Sequence, residues 1–112
     1  MRPEKLYLTD VLEAADAIDR FVSDTPFESF IEDEMRQAAI LQKLIVIGEA
    51  ASRLPDEFRQ KYDKISWQDI VGFRNFAIHE YFSVNWEIVW TTATQDVPML
   101  RNQVAEILPL YS

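Results

Sequence analysis

The chain has 112 residues, with 19 acidic against 11 basic side chains, a formal net charge of −8, 48% hydrophobic residues, one histidine and no cysteine. So much apolar content speaks against a disordered chain, and the length suits a single core, so one domain over residues 1–112 is expected. Without cysteine there are no disulfides, iron–sulfur clusters, thiolate nucleophiles or cysteine-ligated zinc, and one imidazole falls short of the common zinc donor sets. The acidic balance argues against sequence-blind adhesion to nucleic acid over the whole surface, so any polyanion must be handled at a local cationic spot. Met1 to Leu8 carries Arg2, Pro3, Glu4 and Lys5 with no apolar block behind them, unlike a secretory leader. The longest aliphatic run, Leu44 to Ile47, is far below the ~20 residues that cross a bilayer. A soluble cytoplasmic protein with no membrane partner is the expectation.

Neither repeats nor low-complexity linkers divide the chain. From Glu4 to about Val22, Leu8, Val11, Ala15, Ile18 and Val22 recur at steps of three and four, which predicts a helix with one buried side. Ser23-Asp24-Thr25-Pro26 is expected to stop it through the proline, and a short helical turn follows around Phe27 to Ile31. A second long helix is predicted from Asp33 to Leu54. Leu41, Ile45 and Ser52 lie near one side of it and Ile40, Leu44, Ile47, Ala51 and Leu54 on another, the pattern of a central helix. Gly48 inside it costs about 1 kcal/mol relative to alanine, which makes sense if another backbone packs closely there.

Pro55 ends that helix, a brief one spans Asp56 to Tyr62, and Ser66-Trp67-Gln68-Asp69 has the form of a capping box for the next. That fourth helix runs through Ile70, Phe73 and Ala77 and frays near His79. Tyr81 to Asn85 loses the period and ends in a good N-cap. The last helix begins at Trp86, with Val89, Trp90, Ala93, Val97, Leu100, Val104 and Ile107 on its apolar stripe and Pro98 expected to kink it. No segment alternates as a strand does. The fold predicted is all-α, an up-and-down bundle of four main helices plus short pieces.

Chemistry concentrates in Gly72 to Phe82, which holds the single histidine, an arginine, an asparagine and a tyrosine between aromatics. On a helix Asn75 and His79 are i, i+4 neighbours, whereas Arg74 and His79 sit about 140° apart. Unwinding near His79 would let the imidazole swing toward the guanidinium, with Tyr81 entering the loop on the same edge and Gly72 leaving room for a ligand or second chain. These groups suit phosphodiester chemistry on RNA. Imidazole can take the proton of a ribose 2′-hydroxyl, arginine offers a planar charged fork to the transition state, and the Asn75 amide can orient an oxygen. The second acid/base that such a reaction needs would come from a twofold dimer, in which two Arg74/His79 sets face one strand. Residue types alone equally allow a histidine that only meets the negative end of a helix dipole and an arginine that is only solvated.

The spacing Arg74-x-x-x-x-His79-x-Tyr81, with Asn75 after the arginine, resembles the signature of the HepT-like branch of the HEPN ribonuclease superfamily. The likeness extends to Ile47-Gly48-Glu49-Ala50, Leu54-Pro55, Ile65-x-Trp67, Ile70-x-Gly72-x-Arg74-Asn75 and Asp96-x-Pro98-x-Leu100, nearly the whole chain. It implies a metal-independent endoribonuclease without cofactor, a homodimer that serves as the toxin of a toxin–antitoxin pair. Arg74 and His79 map onto the catalytic pair and Asn75 onto the supporting polar position. The partner implied is a minimal nucleotidyltransferase antitoxin, which transfers AMP to the motif tyrosine, here Tyr81. The competing expectation is a catalytically inactive helical binding module that partners a nucleotidyltransferase. Glu49 either approaches the motif helix and orients a side chain there or serves helix packing. Trp67, Trp86 and Trp90 read as core, and Glu32-Asp33-Glu34 as a helix start.

Overall fold

The computed structural model describes residues 3–111, and among these it holds α-helices, two 3-10 turns and a π turn, with no strand. Helix α1 spans Pro3–Val22, α2 Phe27–Phe30, α3 Glu34–Arg53, α4 Asp56–Lys61, α5 Trp67–His79, α6 Trp86–Thr91 and α7 Val97–Ile107. The all-α bundle read from periodicity is the fold observed, with α1, α3, α5 and the continuous α6–α7 rod as its long members. None of these helices is long and apolar enough to cross a membrane.

Local chemistry explains most boundaries. At the end of α1, Asp24 adopts φ 57°, a left-handed conformation that a short polar side chain tolerates, while Thr25 N donates to Val22 O at 3.1 Å. The reversal is therefore made by Asp24, and Pro26 serves as the N-cap of α2. Asp33 caps α3, its Oδ1 accepting from Arg36 N at 3.0 Å, and Asn85 caps α6 by accepting from Glu87 N and Ile88 N at 2.9 and 3.2 Å. Ser66 does not cap α5 through its side chain, contrary to the capping-box reading. Its ψ of 67° leaves the extended range that an N-cap needs, and the turn is secured instead by Trp67, whose indole donates to Tyr62 O at 3.0 Å.

The last helix also departs from expectation. Rather than a kink at Pro98, a π turn fills Thr92–Asp96, with Val97 N donating back to Thr92 O. Proline has no N–H and presses on the carbonyl four residues earlier, here Thr94. Widening the preceding turn accommodates both effects, and Pro98 then falls in the first turn of α7, where its missing donor is not needed.

Buried side chains from all the long helices join one hydrophobic cluster, with Phe30 of α2 sealed against Trp86 and Trp90 at ring separations of 6.1 and 4.7 Å. The buried Gln37 amide holds the end of α2 by donating to Phe30 O and Ile31 O, both at 3.1 Å. Helix α3 is central, packing against α1 on one side and α5 on the other. Its α5 face turns on Gly48. A Cβ built there would overlap Arg74 Cβ outright, and would lie 2.9 Å from Arg74 Cγ and 3.2 Å from Ile70 O. The glycine is thus required by contact, as the sequence anticipated, and the contact is with the arginine of the motif.

Alanine is the better helix former by about 1 kcal/mol, but at position 48 the clash with α5 backbone and a side-chain stem outweighs it. The Gly48→Ala variant should be destabilised by about 1–3 kcal/mol, the usual range for overpacking, measured by denaturant unfolding. A variant as stable as the parent, or more so, would contradict the close approach.

Candidate active site

Arg74 leaves the middle of α5 against the Gly48 gap and is held by α3. Its Nη2 pairs with Glu49 Oε1 at 2.9 Å and donates to Ser52 Oγ at 3.2 Å, while Nη1 donates to Asn75 Oδ1 at 2.6 Å. Ser52 Oγ itself donates to Glu49 O at 2.7 Å, so its lone pairs remain for the guanidinium. Arg74 Nε is buried without a hydrogen-bond partner, and the side chain as a whole keeps 20% of its surface exposed. The second carboxylate oxygen of Glu49 takes Arg53 Nη2 at 3.0 Å. Hydrogen bonding and charge from Glu49 together raise the Arg53 pKa.

His79 is the last residue of α5, exposed, and makes no hydrogen bond or ion pair among the described residues. Glu80 N closes the helix on Phe76 O at 2.8 Å, and a 3-10 turn follows at Tyr81–Ser83. Tyr81 is 46% exposed with its ring edge-on to Phe82 at 5.6 Å, and Phe82 is fully exposed.

The helix ends at His79, where fraying is expected, without unwinding far enough to join the imidazole to Arg74. Helix α5 is intact through His79, so by helical geometry the arginine and the imidazole lie about 140° apart around the axis, and no bond joins them within one chain. Arg74 is drawn instead to α3. Asn75 is the link between them, bonded to Arg74 and one turn below His79 on the same stripe. Gly72 also lies on the open side, where a Cβ would meet nothing within 4 Å. The three motif positions and Tyr81 therefore lie along α5 and the turn after it, but as two subsets rather than one cluster.

Of the two readings that the sequence offers for Glu49, the one in which it meets the motif helix holds. Ser52, which the sequence groups with Leu41 and Ile45, is the contributor that sequence reasoning misses. The available signal was the group Gly48, Glu49 and Ser52: a glycine with an acid beside it and a hydroxyl four residues on, along one edge of a buried helix. The tryptophans read as core are buried or half-buried, and Asp33 is a helix cap. No three histidine, aspartate or glutamate side chains converge to hold a metal ion among the described residues. With its five N–H groups, Arg74 can still offer an Nη1 proton to an anion while Glu49 and Ser52 hold Nη2, a suitable arrangement for a phosphate oxygen.

Comparison with known proteins places the chain in a family. The profile of the family described as Ribonuclease HepT-like matches residues 11–107. A "Putative RNase" of Caldanaerobacter subterraneus subsp. tengcongensis is 40% identical over 108 residues, 96% of each chain. A "Putative RNase" of Methanocaldococcus jannaschii is 34% identical over 103 residues, 92% of this chain and 94% of its own. The "Probable ribonuclease HepT" of Thermococcus cleftensis is 33% identical over 106 residues, 95% of this chain and 96% of its own. No solved structure matches the chain. With a match that spans most of its length and relatives of this identity, the chain belongs to the HepT-like ribonuclease family of the HEPN superfamily.

Proposed function

We propose that the chain is a metal-independent endoribonuclease that acts as a homodimer and serves as the toxin of a toxin–antitoxin pair. The observation that carries this reading is the held guanidinium of Arg74, bonded to the exposed Asn75, which lies one helical turn before the free, exposed His79. The family and the printed names of the relatives support an action on RNA. Dimerisation is supported by the distribution of exposed apolar groups. Phe76 and Ile78 near the end of α5, Tyr81 and Phe82 in the turn after it and Ile88 of α6 are all exposed, and so many large apolar groups in one stretch of chain suit a covered surface. A twofold pairing through that end would set His79 of one copy toward Arg74 of the other.

In the proposed reaction one imidazole accepts the proton of the 2′-hydroxyl as O2′ attacks phosphorus. The bond from phosphorus to O5′ breaks, and the second copy's imidazole donates a proton to the leaving oxygen. The products are a 2′,3′-cyclic phosphate and a 5′-hydroxyl. Arg74 stabilises the charge that builds on the phosphoryl oxygens, and Asn75 orients it. Tyr81, exposed two residues beyond His79, is the proposed acceptor of AMP from a minimal nucleotidyltransferase antitoxin. An added phosphate there repels the substrate backbone and obstructs the edge.

The test is incubation of the purified chain with a defined RNA in the presence of chelator, followed by identification of the new ends. Cleavage leaving 2′,3′-cyclic phosphates is expected, and Arg74→Ala or His79→Ala should lower the rate by about 10²–10⁴ with helicity retained. Full activity in both variants would exclude the assigned pair, and a protein with no cleavage that still bound a nucleotidyltransferase would be a binding module. The Tyr81→Phe variant should cut RNA like the parent yet escape silencing by the antitoxin. Equal modification and silencing of that variant would place the target elsewhere.

A further inference from the structure

The ion pairs of this acidic chain are not evenly arranged. Among the described residues Arg36, Arg59 and Arg101 each have a carboxylate of their own, in Asp33, Asp56 and Asp16. Arg53 and Arg74 instead share one: Glu49 gives Oε2 to Arg53 at 3.0 Å and Oε1 to Arg74 at 2.9 Å. Two permanent positive charges thus share one ion-pair carboxylate on a body of net charge −8. The two guanidiniums are also kept apart by a single carboxylate, so they form a fixed pair rather than two wandering side chains. Arg53 is the more open partner, 57% exposed, with Nη2 on Glu49 and Tyr7 as a further side-chain neighbour. Beyond it, between α1 and α3, lies an open cleft of about 440 Å³ lined by Leu6, Tyr7, Asp10, Glu49 and Arg53 among others. Tyr7 offers there an aromatic ring of the kind on which bases stack, and Asp10 and Glu49 are the acids that face the cleft.

We infer that Arg53 is a second phosphate-binding residue, spaced from Arg74 by Glu49 so that Arg74 takes the phosphate being cleaved and Arg53 a neighbouring phosphate of the same strand. This rests on the ribonuclease reading above. Glu49 is a positioning residue in this scheme: it fixes both forks and prevents their mutual repulsion from driving them apart. A strand leaving Arg74 passes over Arg53 and enters the cleft against α1, which gives the enzyme a direction of approach that the Arg74/His79 motif alone does not define.

The experiment compares the parent, Arg53→Gln and Arg53→Lys chains on one single-stranded RNA, with cleavage kinetics and with equilibrium binding to its 2′-O-methyl analogue over a series of salt concentrations. Arg53→Gln should raise KM about tenfold with far less effect on kcat, the loss of one charge-assisted contact. The slope of log affinity against log salt should become shallower by about 0.7, the value for one phosphate released from contact on a single strand. Arg53→Lys should restore the slope. An Arg53→Gln chain with parental KM and slope, or one that loses thermal stability or dimerisation while the slope stays unchanged, would show the residue to be structural and overturn the inference. A parent chain that cleaves no RNA would bring down the ribonuclease reading itself, and this inference with it.

Discussion

The closeness of α3 and α5 at Gly48 is the constraint from which the remainder of the site follows. Only a position without Cβ lets the stem of Arg74 lie against α3, and only from there does its guanidinium reach Glu49 and Ser52. A helical glycine carries a cost of about 1 kcal/mol in intrinsic propensity, which here is offset by a contact that no other residue permits. The arginine is thereby anchored before any ligand arrives, so little ordering remains to be done on binding. Anchoring also commits it to one side. Arg74 faces α3 and His79 faces away, and because α5 stays helical through His79 the two do not meet within a chain.

The same contact explains how an acidic protein is proposed to handle a polyanion. Its net charge of −8 is spread over the surface, and most arginines in ion pairs are matched one to one. Among the described residues Glu49 alone serves two arginines. In the proposed reading this doubly shared carboxylate marks the edge of α3 and α5 at which phosphate is bound. Exposed apolar residues follow along α5 and the turn after it, so pairing and substrate binding would draw on the same helix.

The long helices were legible because their apolar residues recur at helical spacing and their ends carry strong signals. Asp33 and Asn85 cap where a short polar acceptor precedes a periodic run, and Gly48 announced a close approach by its cost alone. What failed was local geometry that depends on more than residue type. Ser66 has the right side chain for a cap but the wrong ψ, and the influence of Pro98 was displaced by a turn into a π segment that sequence does not encode as such. The motif residues could be picked out, and the helix that carries them as well. Their partition between two faces could not, because it depends on how far α5 continues and on which neighbour claims the guanidinium. Glu49 and Ser52 are partners across helices, and a single sequence gives their spacing on α3 without saying that Arg74 lies opposite.

If Arg74 is committed to α3 in its own chain, the working pair must be formed between chains. The direct measurement is a mixing experiment in which the parent is unfolded and refolded with an excess of the His79→Ala variant so that protomers exchange. A mixed dimer holds one imidazole where the reaction needs two, and the account predicts that it does not cleave RNA, so activity falls well below that of the same amount of parent refolded alone. Undiminished activity, with exchange demonstrated by differently tagged chains, would contradict it.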